Sequence, residues 1–348
     1  MSAILFTISF LLLGSAVGAE SQEADELENL PQPKNAVWQY FSEHTLDCFA
    51  PLERLAEPLE WKLGERTFLF DGVRLWEKEP SEGTLVVGVL GAIKDFMPET
   101  KKSLEFFLKR FQEEKVDFLI LLGDIGSTEY EIMQVVSFCA RSGLPLLAVS
   151  GNSESRAAFN RALLGVQKRY HHVVNANLVQ RVDARGITLL FLGGYFERRF
   201  AHETAACIYR KEQLEQLSNI AKSGVPTRLL FTHGPPLGKG REALDAVPDG
   251  DNVGDPALNR LMQEAEINFG IFSHILEAGG VSSDAQGKLV PEDKMVERLW
   301  LNVGSANPLP WQLNSGAVSC GMGAVVKVQQ KQASYKIIRN SCRRNTAP

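Results

Sequence analysis

Between residues 84 and 152 the chain writes one pattern three times. An uninterrupted apolar run too short for a helix is followed by a turn or polar residue, and the first two runs each lead into a longer amphipathic stretch. The runs are "TLVVGVL", "VDFLILLGD" and "LPLLAVSGN". Between them lie "PETKKSLEFFLKRFQEEK", with Leu104, Phe107, Leu108 and Phe111 at helical spacing, and "TEYEIMQVVSFCARSG", with Gly143 as its stop. Strands with no polar alternation are buried on both faces, and helices at these positions cover them, so the chain reads as α/β. "GITLLFLGG", "TRLLFTHGPP", "NFGIFSHILEAGG" and "LWLNVGSANP" continue the series, and the hairpin "GAVVKVQQKQASYKII" closes it. One domain is expected over residues 84–340, with no internal repeat and no composition break.

Around that domain the sequence divides further. Residues 1–19 read as a secretory signal peptide: Ile4 to Leu13 form an apolar core, and Val17-Gly18-Ala19 offers small residues for cleavage. The apolar run is short for a membrane span, no span is expected after cleavage, and the expected location is secreted or periplasmic. Residues 20–83 are expected to be a leader, acidic and then Pro-rich to about residue 34, followed by an N-terminal extension packed on the main domain. Residues 341–348 read as a tail. The net charge of −5 and the single local basic cluster, Arg339 to Asn345 near the end of the chain, argue against a nucleic-acid partner. In an oxidising compartment the five cysteines allow up to two disulfides. Cys139, in a helical apolar pattern, is expected to be a buried thiol. The pairing of Cys48, Cys207, Cys320 and Cys342 is open, and a Cys48–Cys342 bridge that staples the two termini is one possibility.

The chemistry sits at the ends of the apolar runs, where ligands collect in open α/β sheets. These ends read Gly123-Asp124, Gly151-Asn152, Thr232-His233-Gly234, Ser273-His274 and Asn302 to Ser305. A carboxylate, an amide oxygen and two imidazoles from Asp124, Asn152, His233 and His274 suit a borderline divalent ion such as Mn, Fe or Zn. Singly, each has an ordinary structural explanation as a cap, a turn or a satisfied loop residue.

In order and in strand context, "GDIG", "GNSE", "THGP" and "SHIL" resemble the last four motifs of the calcineurin-like metallophosphoesterase family, G-D-x-x, G-N-H-[DE], G-H-x-x and G-H-x-H. The resemblance spans about residues 84–340. It implies a four-layer α/β/β/α sandwich with a metal site at the C-terminal ends of the strands, and hydrolysis of phosphate esters. Thr232 and Ser273 stand where the last two motifs have Gly.

The heavier departures fall on one side. Gly91 and Ile93 occupy the positions of the first motif's Asp and His, Leu276 occupies the last motif's second His, and Ser153 replaces the His of the third. By the resemblance, one metal keeps all its ligands (Asp124, Asn152, His233 and His274), whereas the other keeps only the bridging Asp124. One divalent metal is therefore expected, with a second doubtful. Asp95, Glu154 and Glu277 are possible accessory ligands. Losing one ion of a pair removes several kcal/mol of transition-state stabilisation. Losing the acid costs roughly 10²–10⁴ in rate. Two readings follow: a weakened hydrolase, or an inactive binding module for a phosphorylated small molecule or a protein partner.

Overall fold

The computed structural model describes residues 36–342. The segments expected to be a signal peptide and an acidic leader, and residues 343–348 of the tail, lie outside the described residues.

The chain opens with α1 (Ala36–Glu43) and three short strands, β1 (Leu59–Leu63), β2 (Arg66–Phe70) and β3 (Arg74–Glu77). The alternating region follows as β4 (Leu85–Leu90), α2 (Pro98–Glu113), β5 (Phe118–Leu122), α3 (Glu129–Ala140), β6 (Leu146–Val149), α4 (Arg156–Arg169) and β7 (Val173–Asn175). Next come β8 (Arg181–Ala184), β9 (Ile187–Leu192), α5 (Lys211–Lys222), β10 (Arg228–Thr232), α6 (Pro256–Glu264) and β11 (Phe269–Phe272). The last strands are β12 (Ser282–Ser283), β13 (Leu299–Asn302), β14 (Trp311–Gln312), β15 (Val318–Ser319), β16 (Met322–Gln329) and β17 (Gln332–Arg339).

Among the described residues the strands form two large sheets and a small ribbon. The first sheet has the order β17-β16-β4-β5-β6-β7, and the second has the order β1-β2-β3-β8-β9-β10-β11-β13-β12. In the first, β4 to β7 run parallel. In the second, β9, β10, β11 and β13 run parallel. The period of two along each strand sorts side chains into layers. Val87, Val89, Ile120 and Leu122 point toward the other sheet, where Leu189, Phe191, Leu229, Phe231 and Ile271 meet them in one core. Leu119 and Leu121 point the other way, under Phe107 and Phe111 of α2, Val135 and Val136 of α3, and Phe159 and Leu163 of α4. Leu190, Leu192 and Leu230 of the second sheet pack under Leu217 of α5 and Leu258 and Leu261 of α6. The result is a four-layer α/β/β/α sandwich.

Local chemistry agrees with these elements. Pro98 opens α2, where its missing N–H costs nothing. Thr128 and Glu131 form a reciprocal capping box on α3. The segment read as an N-terminal extension supplies α1 and β1–β3, and β3 pairs parallel with β8, so these strands continue the second sheet. Cys48 pairs with Cys207 and Cys320 with Cys342, and Cys139 is the buried free thiol. The Cys48–Cys342 staple is therefore not formed. The β16–β17 register puts Met322 opposite Arg339, which carries Cys320 and Cys342 side by side.

Candidate metal centre

The parallel strands of both sheets deliver Asp124 after β5, Asn152 after β6, His233 after β10 and His274 after β11 to one place. Two of these residues have left-handed backbone, Asp124 with φ 51° and His274 with φ 66°. Such conformations cost about 1–3 kcal/mol each and persist where surrounding contacts fix them. The approach is close enough to require glycine. A Cβ on Gly123 would lie 2.5 Å from His233 Nδ1, and one on Gly151 would lie 2.5 Å from Asp124 Oδ1.

His233 is fully buried at the centre. Its Nδ1–H donates to the Leu122 carbonyl at 2.8 Å, which leaves a lone pair on Nε2. That atom faces Asp124 Oδ1 at 3.3 Å, Asn152 Oδ1 at 3.1 Å and His274 Nδ1 at 3.1 Å. The Asn152 amide donates from Nδ2 to the Phe200 carbonyl at 2.5 Å, so its oxygen is the atom turned inward. A proton on His274 Nδ1 would satisfy one contact and still leave two oxygens facing the His233 lone pair. Electron pairs gathered with so few protons between them fit a bound cation. The ligating atoms of Asp124, His233 and His274 all lie within 4.8 Å of one another. One carboxylate, one amide oxygen and two imidazoles match a divalent ion of the Mn, Fe or Zn type.

The protonation states agree with this. Burial alone would raise the Asp124 carboxyl, but His233, His274, Lys94 and a hydrogen bond from Ser153 outweigh it and hold it below its ordinary value. Burial above all pushes the His274 imidazole down to about 3. Both residues therefore stay in the deprotonated forms that bind metal.

The accessory carboxylates have other partners. Asp95 accepts from Thr100 Oγ1 at 2.5 Å, from the Met97 N–H at 2.9 Å and from Asn307 Nδ2 at 2.9 Å, so it secures the start of α2. Glu154 is fully buried and accepts backbone N–H groups from Ile125 and, at 2.8 Å, from Gly151. It clamps the β5 and β6 loops together, and desolvation plus the Asp124 charge raise it to about 8. Glu277 is half-buried in a short 3-10 turn, where its carbonyl accepts from the Asn314 N–H. Ser153 sits beside the cluster, and its N–H donates to Asp124 Oδ1 at 3.2 Å.

The neighbouring half of the site is filled by protein. A Cβ on Gly91 would lie 2.2 Å from Ser273 Oγ and 2.6 Å from Ser273 Cβ. Ser273 is held there by donating to the Gly304 carbonyl at 2.8 Å. Ile93 is fully buried in the core beneath the helices, and Leu276 is buried as well.

Sequence reasoning missed the loop after β9. The Tyr195 ring lies 4.4 Å from the His274 ring, Phe200 orients Asn152 through its carbonyl, and the His202 N–H donates to the Asn152 carbonyl at 2.9 Å. Backbone groups do this work, and they leave no signature in residue type.

A four-layer sandwich with such a donor cluster at its strand ends is the architecture of a metallophosphoesterase. The family model for calcineurin-like phosphoesterases matches residues 95–278, more than half of the 348 residues, and the chain belongs to that family. No curated protein matches the chain. Among solved structures, one crystal structure aligns at TM-score 0.55 and 15% identity, over 74% of this chain and 100% of that one. A protein of Thermus thermophilus aligns at TM-score 0.48 and 14% identity, over 69% and 99%. A dimetal phosphatase from Danio rerio aligns at TM-score 0.47 and 12% identity, over 76% and 100%. At these identities the likeness is one of fold.

Proposed function

We propose that this protein is an exported member of the family that holds one divalent metal ion and a phosphorylated ligand, and that it hydrolyses phosphate esters weakly or not at all. The observation that carries this reading is the packing of Ser273 into the space that a carboxylate at position 91 would need. Ser273 takes the space of a side chain at position 91, so a second ion would keep only Asp124 of its ligands.

The residues have distinct tasks. Asp124, Asn152, His233 and His274 would hold the ion, which when bound supplies positive charge to a phosphoryl oxygen and lowers the pKa of bound water. His233 is fixed for this by the Leu122 carbonyl, and Asn152 by the Phe200 carbonyl. Ser153 can donate a hydrogen bond to a phosphoryl oxygen, but its hydroxyl is a poor proton source at neutral pH. The leaving group therefore departs without the proton that the motif's His would supply, at a cost of roughly 10²–10⁴ in rate. Export is supported by the apolar segment Ile4 to Leu13 and by two disulfides, which persist in oxidising compartments. Among the described residues no helix is long and apolar enough to cross a membrane.

Metal analysis of the purified protein, together with an assay on a generic phosphodiester in Mn²⁺, tests the reading. One equivalent with turnover near background is the expected result. Two equivalents with robust turnover would overturn it.

A further inference from the structure

The loop after β4 has lost both of its motif ligands, yet its backbone is held in a defined shape. Ala92 and Lys94 have positive φ, 47° and 73°. The Ala92 N–H donates to the Gly123 carbonyl at 3.0 Å, Ser305 Oγ donates to the Ala92 carbonyl at 2.8 Å, and Asn307 Nδ2 donates to the Ile93 carbonyl at 2.8 Å. Gly91, Ala92 and Ile93 are buried, and Lys94 alone of the four is exposed. The Lys94 N–H donates to the backbone carbonyl of Asp124 at 2.8 Å, so its side chain starts one hydrogen bond away from a metal-type ligand. Its charge reaches both Asp124 and His274, favouring the carboxylate and disfavouring the imidazolium. Among the described residues Lys94 makes no ion pair with a carboxylate.

We propose that Lys94 supplies the second positive charge of this site, so that a phosphoryl group is held between the metal ion and the Lys94 ammonium. The inference rests on the one-metal reading above. A lysine is a compact cation on a flexible stem and suits a phosphate oxygen. Unlike a second ion it binds no activated water, so the pair favours holding a phosphoryl group over cleaving it. The neutral hydroxyl of Ser153 is on hand as a further donor.

The test uses the full, Mn²⁺-loaded protein titrated with inorganic phosphate in a calorimeter. Wild-type protein is expected to bind. Lys94→Gln should weaken phosphate by at least about tenfold, the scale of a lost hydrogen bond to a charged group. Lys94→Arg should keep most of the affinity, and the manganese content should stay that of wild type in both variants. Equal phosphate affinity in wild type and Lys94→Gln would overturn the role of Lys94 alone, whereas Mn²⁺-loaded wild type that fails to bind phosphate would overturn both that role and the phosphorylated-ligand reading. Failure of wild type to bind Mn²⁺ would remove the one-metal reading and this inference with it. If Lys94→Gln lost manganese along with phosphate, Lys94 would be a structural residue and the proposal would fall.

Discussion

The ends of β5, β6, β10 and β11 differ from the end of β4 in what fills the space beyond them. At the first four, lone pairs of Asp124, Asn152 and His274 stand 3.1–3.3 Å from His233 Nε2, and backbone carbonyls fix the orientation of the ring and the amide. At the fifth, Ser273 sits where a side chain on Gly91 would go, and Ile93 turns into the helical core. One half gathers Asp124, Asn152 and His274 around the His233 ring. The other was repacked with van der Waals contacts and a serine–carbonyl hydrogen bond. The comparison teaches that the second half is more than a set of missing ligands, since its space is in use.

The largest effect should come from the intact half. His233→Ala removes the central ligand, and metal affinity is expected to fall by more than about 100-fold, beyond the effect of losing an outer-shell partner. Metal analysis after dialysis reads this directly, and retained metal would mean that the four side chains are not the ligands.

The next prediction tests the repacked half. A variant combining Gly91→Asp, Ile93→His and Leu276→His should gain no second equivalent while Ser273 remains, and overpacking should destabilise it by about 1–3 kcal/mol or more. Adding Ser273→Gly opens the space, and a second equivalent is then expected. Equal metal content with and without Ser273 would refute the steric account.

The apo protein should also respond to acid. His274 is pushed down to about 3 in the folded state, below the ordinary imidazole value of 6.5. The unfolded chain therefore binds the extra proton first. The associated stability is complete above pH 6.5 and is lost as pH falls toward 3, at up to about 1.4 kcal/mol per pH unit. Urea unfolding at a series of pH values should give a slope that His274→Asn flattens.

The smallest effect belongs to the accessory carboxylates. Asp95→Ala should cost about 1 kcal/mol through the lost hydrogen bonds to Met97, Thr100 and Asn307 and leave metal content unchanged. Glu277→Ala should change neither stability nor metal. Loss of metal in either variant would make that residue a ligand.

These regions were not equally legible in the sequence. Asp124, Asn152, His233 and His274 stood out because each follows an apolar run, and a buried strand announces where it ends. Gly91, Ile93 and Leu276 were read as departures only by comparison with the motifs that the chain resembles. The link between Gly91 and Ser273 could not be read, because it depends on two strands of different sheets ending face to face. Nor could Phe200 be read, since any residue offers a carbonyl. "TFLFDGVRLWE" carried strand content without revealing its place in the larger sheet, because β1 to β3 join that sheet only through the pairing of β3 with β8.

The Cys48–Cys207 bond ties the segment after α1 to a loop 159 residues further on, the same loop whose Phe200 carbonyl aims the Asn152 amide. A thiol–disulfide event at this bond is thus mechanically continuous with the aim of a single oxygen atom. Treatment with a non-chelating reductant would slacken that strap, and the ion would exchange faster with no ligand altered. Affinity for a cation held there would then be partly a property of the oxidation state of the chain.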